Sequence, residues 1–246
     1  MVSHIFGFSA LAARSFAAAI LPPYRFRDII QQISFIAVES LWIIVLCVCA
    51  AAMVTILEAS FHMKLVIQND AMVPGFAAAL ILRELGAVTM ALLVTSRVGA
   101  GMAAEVGSMK VTEQIEALQM LGLDPIRFLV APRLVACMIS GALMSLIANI
   151  VCLSAAMGVS ILKLGYTAGM FFSMSRPFIS GRDLVFAVIK GAVFGAVIPL
   201  FACYSGLRCK PGAEGVGLAT TGAVVSTSVA IIVLDFILSY LFSHFY

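Results

Sequence analysis

Charged residues are scarce in this sequence of 246 residues: only 11% are Asp, Glu, Lys or Arg, whereas 63% are hydrophobic. A soluble domain carries about 25% charged and roughly 45–50% apolar residues. Apolar surface on this scale cannot be hidden inside a globule that faces water on all sides. The composition therefore excludes a soluble enzyme, a disordered chain and a disulfide scaffold, and it favours an integral membrane protein.

The sequence also lacks the patterns of metal sites, disulfide frameworks and nucleotide sites. Its three histidines are scattered, and its six cysteines include no CxxC pair. No phosphate-binding loop, nucleophile elbow or zinc-protease motif is present. The net charge of +3 is small and spread along the chain, which gives nucleic acid no basic patch. We expect no catalytic residue, metal or cofactor on this chain. If it uses ATP, the ATP and Mg²⁺ bind a separate subunit.

Five stretches are long and apolar enough to cross a bilayer as helices, which takes about 20 residues. They lie at residues 36–60, 71–96, 134–162, 184–207 and 215–243. Residues 5–20 are too short and too mixed to span, and this pattern is typical of an interfacial helix. The predicted fold class is an all-α integral membrane protein with one domain over residues 1–246. Residues 1–35 form its interfacial and elbow region, and residues 36–243 form its five-span bundle.

The distribution of basic residues predicts the orientation of the spans. With the N-terminus in the cytoplasm, nine loop Lys and Arg residues lie on the cytoplasmic side and four on the opposite side. Because cytoplasmic loops carry an excess of Lys and Arg, this orientation is favoured. The segment between spans two and three is then cytoplasmic.

Four ionisable residues fall inside the predicted spans: Arg83, Glu84, Lys190 and Asp235. Each charge at the centre of a spanning helix costs about 2.5–3.5 kcal/mol, so such residues usually face the bundle interior and have partners. Lys190 and Asp235 have the same expected depth and are candidate partners, and Asp183 lies two helical turns before Lys190. Two interpretations stay open here: ion pairs that only lock helices together, or a polar patch in a cavity for a charged or zwitterionic head group.

Residues 107–124, between spans two and three, form a polar stretch with apolar residues at helical spacing. This pattern predicts an amphipathic helix that ends near Asp124. Lys110, Glu113, Gln114 and Glu116 supply its polar positions, and Leu118 is one of its apolar positions. The pattern fits a solvated linker and a docking surface for a cytoplasmic partner equally well.

Several motifs of the chain resemble those of the MlaE/YrbE family, the permease subunits of bacterial ABC transporters associated with MCE proteins. The resemblance runs from about residue 28 to the end of the sequence. Its densest motifs are RELG at residues 83–86, AEVGSMKVTEQIEAL at residues 104–118 and LGLDP at residues 121–125.

The resemblance implies a homodimer in the bacterial inner membrane, between a cytoplasmic ABC ATPase dimer and a periplasmic hexamer of MCE-domain proteins. In some systems a small STAS-domain protein joins the ATPase. The implied activity is movement of phospholipids between the inner membrane and the outer envelope.

The resemblance also assigns roles to two groups of residues. It implies that residues 107–124 are the coupling helix that docks into the ATPase, with contacts at Lys110, Glu113, Gln114, Glu116, Leu118 and Asp124. It implies a polar network near the lipid cavity formed by Arg83, Glu84, Asp183, Lys190 and Asp235.

Two other classes of function remain as alternatives. A proton-coupled secondary transporter could relay protons through the intramembrane residues Glu84, Lys190 and Asp235. A structural membrane anchor without transport activity would tolerate substitution of Glu84 or Lys190. The coupling-type segment at residues 107–124 argues against the proton-coupled transporter.

Overall fold

The structure is a computed structural model, and it describes residues 2–20, 26–63, 65 and 72–244. The described residues form eight helices and no strand. We number them in chain order: α1 (Val2–Ile20), α2 (Phe26–His62), α3 (Val73–Val111), α4 (Gln114–Met120), α5 (Ile126–Leu164), α6 (Ala168–Ser175), α7 (Gly181–Leu207) and α8 (Ala213–Ser243).

Five of these helices, α2, α3, α5, α7 and α8, are long and apolar enough to cross a membrane. The shortest of them, α7, has 27 residues and is therefore about 40 Å long. These helices confirm the predicted all-α membrane fold with five spans. Each helix contains the predicted apolar stretch to within a few residues, and most extend beyond it because polar helical turns continue past the apolar core.

Two boundaries differ from the sequence prediction. The predicted elbow at residues 1–35 is too long, because α2 begins at Phe26 and residues 26–35 belong to that helix. The part of the elbow at residues 21–25 lies outside the described residues. The N-terminal stretch is helical as predicted, from Val2 to Ile20. The second predicted span, 71–96, continues as helix to Val111.

The chain divides into two compact units, and the long helices contribute residues to both. Unit 1 consists of Met1–Ser40, Leu92–Gly141 and Ala192–Leu234. Unit 2 consists of Leu41–Ala91, Ala142–Gly191 and Asp235–Tyr246. The nine basic loop residues that set the predicted orientation all belong to unit 1 by their position in the sequence.

The core of unit 1 joins α1 to three of the longer helices. Leu11 of α1 is buried in a cluster with residues of α3, α4, α5 and α7. Phe8 of α1 packs on Phe201, with ring centroids 4.3 Å apart. At Gly195 the backbones of α7 and α5 approach so closely that a Cβ atom would lie 2.2 Å from the carbonyl oxygen of Cys137.

Unit 2 contains the connection from α5 to α7, in which α6 is a separate short helix. The Thr167 hydroxyl accepts a hydrogen bond from the Met170 N–H, at 3.3 Å, and caps the start of α6. The chain then turns back, and Phe178 packs directly on Gly75 of α3, where any side chain would clash with its ring.

Two of the spanning helices contain turns of π-helix, in which the backbone hydrogen bonds skip one additional residue. In α3 these turns are Ile81–Leu85 and Thr95–Gly99, and in α5 the first turn, Ile126–Val130, has the same geometry. Such turns are often found at functional sites, and Ile81–Leu85 contains both Arg83 and Glu84.

Candidate functional site

Lys190 is the centre of a buried polar cluster in unit 2. Its side chain is only 2% exposed, and its ammonium donates hydrogen bonds to the Arg83 carbonyl oxygen at 2.7 Å, to Glu84 Oε2 at 3.0 Å and to Ser239 Oγ at 2.8 Å. An ammonium group has three N–H donors, so these bonds use all of them. Asp235 Oδ1 makes a further ionic contact with the same nitrogen at 2.8 Å. The pairing of Lys190 with Asp235 expected from their depth is therefore present.

Ser239 was missing from the predicted site, yet it links two of its charges. Its hydroxyl accepts from Lys190 and donates to Glu84 Oε1 at 2.8 Å. Residues four apart on a helix share one face, and Ser239 stands four residues after Asp235. That spacing is the signal from which the sequence could have identified it.

Arg83 and Asp183 form a second ion pair of unit 2. Arg83 Nε lies 2.8 Å from Asp183 Oδ1, and the Asp183 side chain is 1% exposed. The other carboxylate oxygen of Asp183 accepts the Ser180 N–H at 2.7 Å, at the start of α7. A carboxylate in this position also interacts favourably with the positive end of the helix dipole. All five predicted network residues thus lie in two ion-paired groups. Arg83 contributes to both, because its side chain pairs with Asp183 and its carbonyl oxygen accepts a hydrogen bond from Lys190.

The π-helical turn in α3 places Arg83 and Glu84 for these contacts. The Gly86 N–H bonds to the Ile81 carbonyl across the widened turn. Gly86 is also the point where Asn149 of α5 packs against α3, because a Cβ there would lie 2.1 Å from Asn149 Oδ1.

Asn149 stands in the middle of the third predicted span, and this position predicts that its side chain makes an interhelical hydrogen bond. This prediction is wrong: neither polar atom of the buried amide has a hydrogen-bond partner among the described residues.

A cavity of about 330 Å³ opens beside the Lys190 cluster in unit 2. Two of its lining side chains, Glu84 and Asp235, are carboxylates of the cluster. The Glu84 side chain is 42% exposed, so it is the more accessible of the two. The full lining is Thr55, Leu80, Glu84, Leu85, Val88, Thr89 and Asp235. The cavity thus combines apolar walls with an acidic polar face.

The segment at residues 107–124 is not the single helix that the pattern predicts. Residues 107–111 are the last residues of α3, the chain bends at Thr112 and Glu113, and α4 then covers only Gln114–Met120. Glu113 has φ = 58°, a left-handed backbone conformation that residues other than glycine seldom adopt. The amphipathic repeat predicts continuity because apolar residues keep helical spacing across this bend.

The predicted coupling residues of unit 1 occupy different environments around the bend. Lys110 and Glu116 form an ion pair across it, and Leu118 packs against the buried cluster. Asp124 pairs with Arg14 of α1 at 3.0 Å, and its other oxygen accepts the Ile126 N–H at 3.1 Å. Glu113 and Gln114 are exposed.

The surface at the end of α4 is apolar and open. Met120 is 90% exposed and Leu121 is 75% exposed, and the neighbouring Leu123 is exposed as well. Large apolar residues exposed together often mark a surface for a partner or a membrane.

The ammonium group of Lys110 lowers the pKa of Glu116 from its ordinary value, mainly through the hydrogen bond between them.

Comparison with known proteins identifies the family. The family described as Permease MlaE matches residues 29–241 of this chain. A probable ABC transporter permease protein of Rickettsia prowazekii is 34% identical over 235 residues, which cover 96% of this chain and 90% of that protein. The intermembrane phospholipid transport system permease protein MlaE of Haemophilus influenzae is 32% identical over 216 residues, covering 87% of this chain and 82% of that protein.

A plant protein is similar as well. The chloroplast protein TRIGALACTOSYLDIACYLGLYCEROL 1 of Arabidopsis thaliana is 36% identical over 168 residues, which cover 68% of this chain and 48% of that protein. The matched residues of the family include both the Lys190 cluster and the segment around α4. The chain belongs to the MlaE family of ABC transporter permeases.

Proposed function

We propose that this chain is the membrane subunit of an ATP-driven transporter that moves phospholipids between the bacterial inner membrane and the outer envelope. ATP hydrolysis takes place on a separate cytoplasmic ABC ATPase dimer, and a periplasmic MCE-domain hexamer exchanges the lipid. The chain works as a homodimer, and a STAS-domain protein joins the ATPase where the system has one. The proposal agrees with the printed name of the Haemophilus influenzae relative, a permease of an intermembrane phospholipid transport system.

The observation that carries the proposal is the cavity beside the Lys190 cluster. A phospholipid has apolar tails and a charged head group, and this cavity offers apolar walls next to Glu84 and Asp235. Together, the Lys190 cluster and the Arg83–Asp183 pair contain two cations and the three carboxylates of Glu84, Asp183 and Asp235. When all five groups are ionised, one negative charge is in excess. A head group with a positive or hydrogen-bond-donating part would complement that excess.

The bend before α4 provides the connection to the ATPase. Its exposed residues Glu113 and Gln114 lie at the start of α4, and the exposed apolar side chains of Met120 and Leu121 lie at its end, so that α4 offers both polar and apolar groups to a partner protein. The Lys110–Glu116 ion pair ties α4 to α3, the helix that also carries Glu84. Movement of α4 by the ATPase therefore acts on the helix that lines the lipid cavity. Directed transport further requires that the lipid bind the two conformations with different affinities.

Exposed helix surface supports the homodimer. In the most apolar stretch of α8 only 11% of the residues are buried within the chain, against 50% in α3, α5 and α7. A second copy of the chain would cover part of this surface, and lipid would cover the rest. In the proposed orientation the basic loops of unit 1 face the cytoplasm, as the distribution of Lys and Arg favours.

Reconstitution with the partner ATPase and MCE protein tests the proposal. Transfer of a fluorescent phospholipid from proteoliposomes to the MCE protein is measured with and without ATP. Glu84→Gln should slow ATP-dependent transfer by about tenfold, because a charge-assisted contact with the head group is lost. Glu39→Gln removes the same charge from α2 outside the cavity, where Glu39 lies 3.6 Å from Arg97, and should leave transfer unchanged.

The same assay separates the proposal from a proton-coupled transporter. We expect transfer to stop when the ATPase carries an inactivating substitution and to continue when a protonophore collapses the proton gradient. If transfer continues with the inactive ATPase but stops with the protonophore, the chain is a proton-coupled secondary transporter and the proposal is wrong. Normal transfer by Glu84→Gln at normal protein abundance would leave the Lys190 cluster with a purely structural role.

A further inference from the structure

A cavity in unit 1 has no part in the function proposed above. It measures about 200 Å³ and lies where α7 ends and α8 begins. Ser205, Arg208 and Lys210 line its polar side, and Leu218 and Ala219 of α8 line its apolar side. Pockets for whole small molecules usually have about 300–1,000 Å³. This cavity is therefore large enough for a head group with its phosphate and too small for a complete lipid.

Lys210 provides an accessible positive charge in this cavity. The residue is exposed, and its ammonium group has no hydrogen-bond or ion-pair partner within the part of the chain that the structure describes. An ammonium group has three N–H donors. These donors are available to an anionic ligand, and none of the described residues that line the cavity is a carboxylate.

Arg208 adds a second positive charge, which its neighbours hold in place. Its guanidinium group donates a hydrogen bond to the Tyr204 hydroxyl, and its central carbon lies 5.2 Å from the centroid of the Tyr204 ring. Tyr204 in turn packs edge-on against Phe8 of α1. A guanidinium group has five N–H donors, so Arg208 can bind a phosphate oxygen in addition to its contact with Tyr204.

The backbone that carries Lys210 is fixed by close packing. A Cβ atom at Gly215, in the first turn of α8, would lie 2.1 Å from the Lys210 carbonyl oxygen. The Cys209 thiol donates to the same carbonyl oxygen at 3.1 Å. The connection between α7 and α8 is therefore packed directly on α8, and a ligand that binds to it has less backbone to order.

The position of the cavity in the chain indicates where its ligand comes from. The apolar stretch of α7 ends at residue 207 and that of α8 begins at residue 215, so the cavity lies at the ends of two spans. In the orientation that the distribution of Lys and Arg favours, these ends face the cytoplasm. Basic pockets between spanning helices on the cytoplasmic side are typical sites for the head groups of anionic lipids.

An exposed apolar face of α8 continues from the cavity into the span. Leu218, Val225, Val229 and Ile232 are each more than half exposed, and their spacing places them on one side of the helix. A face of this kind suits acyl chains, and the cationic cavity at its end suits a negatively charged head group. The combination favours an anionic phospholipid over a soluble phosphate compound.

We propose that the cavity of unit 1 binds the head group of an anionic phospholipid, with the phosphate on Arg208 and Lys210 and the acyl chains along the exposed face of α8. This site is separate from the cavity beside Lys190, and binding to it requires no transport. The soluble compound with the same chemistry is glycerol 3-phosphate, and the experiment includes it.

The test is native mass spectrometry of the full chain in mild detergent, titrated with phosphatidylglycerol or phosphatidylethanolamine of identical acyl chains. The wild-type protein should prefer phosphatidylglycerol, because the ammonium group of phosphatidylethanolamine cancels the charge of its phosphate. Lys210→Gln should weaken binding of phosphatidylglycerol by about tenfold, because a charge-assisted hydrogen bond is lost. Lys210→Arg retains the charge and should retain the preference. Lys163→Gln removes the same charge from the last turn of α5, outside the cavity, and should have no effect.

A double variant tests whether both cations belong to one site. Arg208→Gln combined with Lys210→Gln should abolish the preference for phosphatidylglycerol. Because Arg208 also contacts Tyr204, size-exclusion chromatography verifies that this variant remains folded.

Three outcomes would overturn the proposal. Equal affinity of the wild type for both lipids would leave the exposed face of α8 to a second copy of the chain. Unchanged binding in the double variant would place the lipid elsewhere, and displacement by millimolar glycerol 3-phosphate would make the ligand a soluble compound. Because the measurement is binding without ATP, its failure leaves the proposed transport activity intact, and a failure of transport leaves this result standing.

Discussion

Unit 1 and unit 2 are both built from apolar helices, but they use charged residues in opposite ways. In unit 2 five charged residues are drawn together, and two of them are almost completely buried. Lys190 contacts several oxygens, and Asp183 accepts hydrogen bonds from Arg83 and from the Ser180 N–H. Among the described residues of unit 1 most ion pairs are separate and open to solvent, such as Arg14–Asp124, whose side chains are 63% and 41% exposed. We infer that single charges are indispensable in the buried groups of unit 2 and mostly replaceable in unit 1.

The largest expected effect comes from breaking the buried cluster of unit 2. Lys190→Met leaves Glu84 and Asp235 without a cation, and removal of one partner from a buried ion pair costs about 3–5 kcal/mol. The unfolding midpoint of the purified protein in detergent should fall steeply. By contrast, Arg14→Gln in unit 1 breaks an exposed pair and should change stability by less than about 1 kcal/mol.

A neutral cluster sharpens this comparison by separating stability from function. Lys190→Met combined with Glu84→Gln and Asp235→Asn removes every charge that contacts Lys190, so no uncompensated charge remains. Most of the lost stability should return, while ATP-dependent lipid transfer should not. A neutral cluster as unstable as Lys190→Met alone would contradict the assignment of the loss to unpaired charge.

Backbone contact, not charge, is the sensitive feature in the core of unit 1. Gly195→Ala would place a Cβ atom 2.2 Å from the carbonyl oxygen of Cys137, which neither helix can avoid without shifting. Overpacking of this kind costs about 1–3 kcal/mol. Gly101→Ala is the matched control, since its Cβ would meet no atom within 4 Å and alanine favours a helix by about 1 kcal/mol. Unfolding midpoints that change equally would show that the close approach of α5 and α7 is not needed.

The bend at Glu113 should affect coupling more than stability. A left-handed conformation costs a non-glycine residue about 1–2 kcal/mol, so Glu113→Gly should keep or slightly raise the unfolding midpoint. We expect Glu113→Gly and Glu113→Ala both to slow ATP-dependent lipid transfer, because both remove the carboxylate offered to the ATPase. If Glu113→Gly transfers lipid normally and Glu113→Ala does not, the bend matters and the carboxylate does not.

These predictions rest on features that the sequence reveals to different degrees. The five spans follow from apolar stretches bounded by charges, because the length needed to cross a bilayer leaves little freedom. The pairing of Lys190 with Asp235 also follows, since a charge inside a span needs a partner at its own depth. The arrangement around Asn149 does not follow, because close packing against Gly86 takes the place of the expected hydrogen bond.

Local backbone geometry is what the sequence pattern conceals. The helical spacing of apolar residues continues from Val111 to Ile115, although the helix itself breaks at Glu113. Nothing in the residue type signals this break, since left-handed bends usually carry glycine or asparagine. The π-helical turn at Ile81–Leu85 is equally invisible to the pattern, because the spacing of apolar residues does not reveal which carbonyl oxygen each N–H bonds to. Arg133 is one of the nine basic residues that the sequence assigns to cytoplasmic loops, but its side chain is buried against Glu105.

The smallest expected effect concerns the exposed Lys110–Glu116 pair of unit 1. The pair lowers the pKa of Glu116 in the folded state. It therefore stabilises α4 fully at pH values above the ordinary pKa of 4.5, and this stabilisation is lost as the pH falls through the lowered pKa. At neutral pH, Glu116→Gln should speed hydrogen–deuterium exchange of the backbone amides in α4, with Glu214→Gln as the unaffected control. In acid well below the ordinary pKa, the wild-type protein and Glu116→Gln should exchange at the same rate, since protonation then removes the same charge. A difference that persists in acid would mean that the Glu116 carboxylate acts through something other than its ion pair with Lys110.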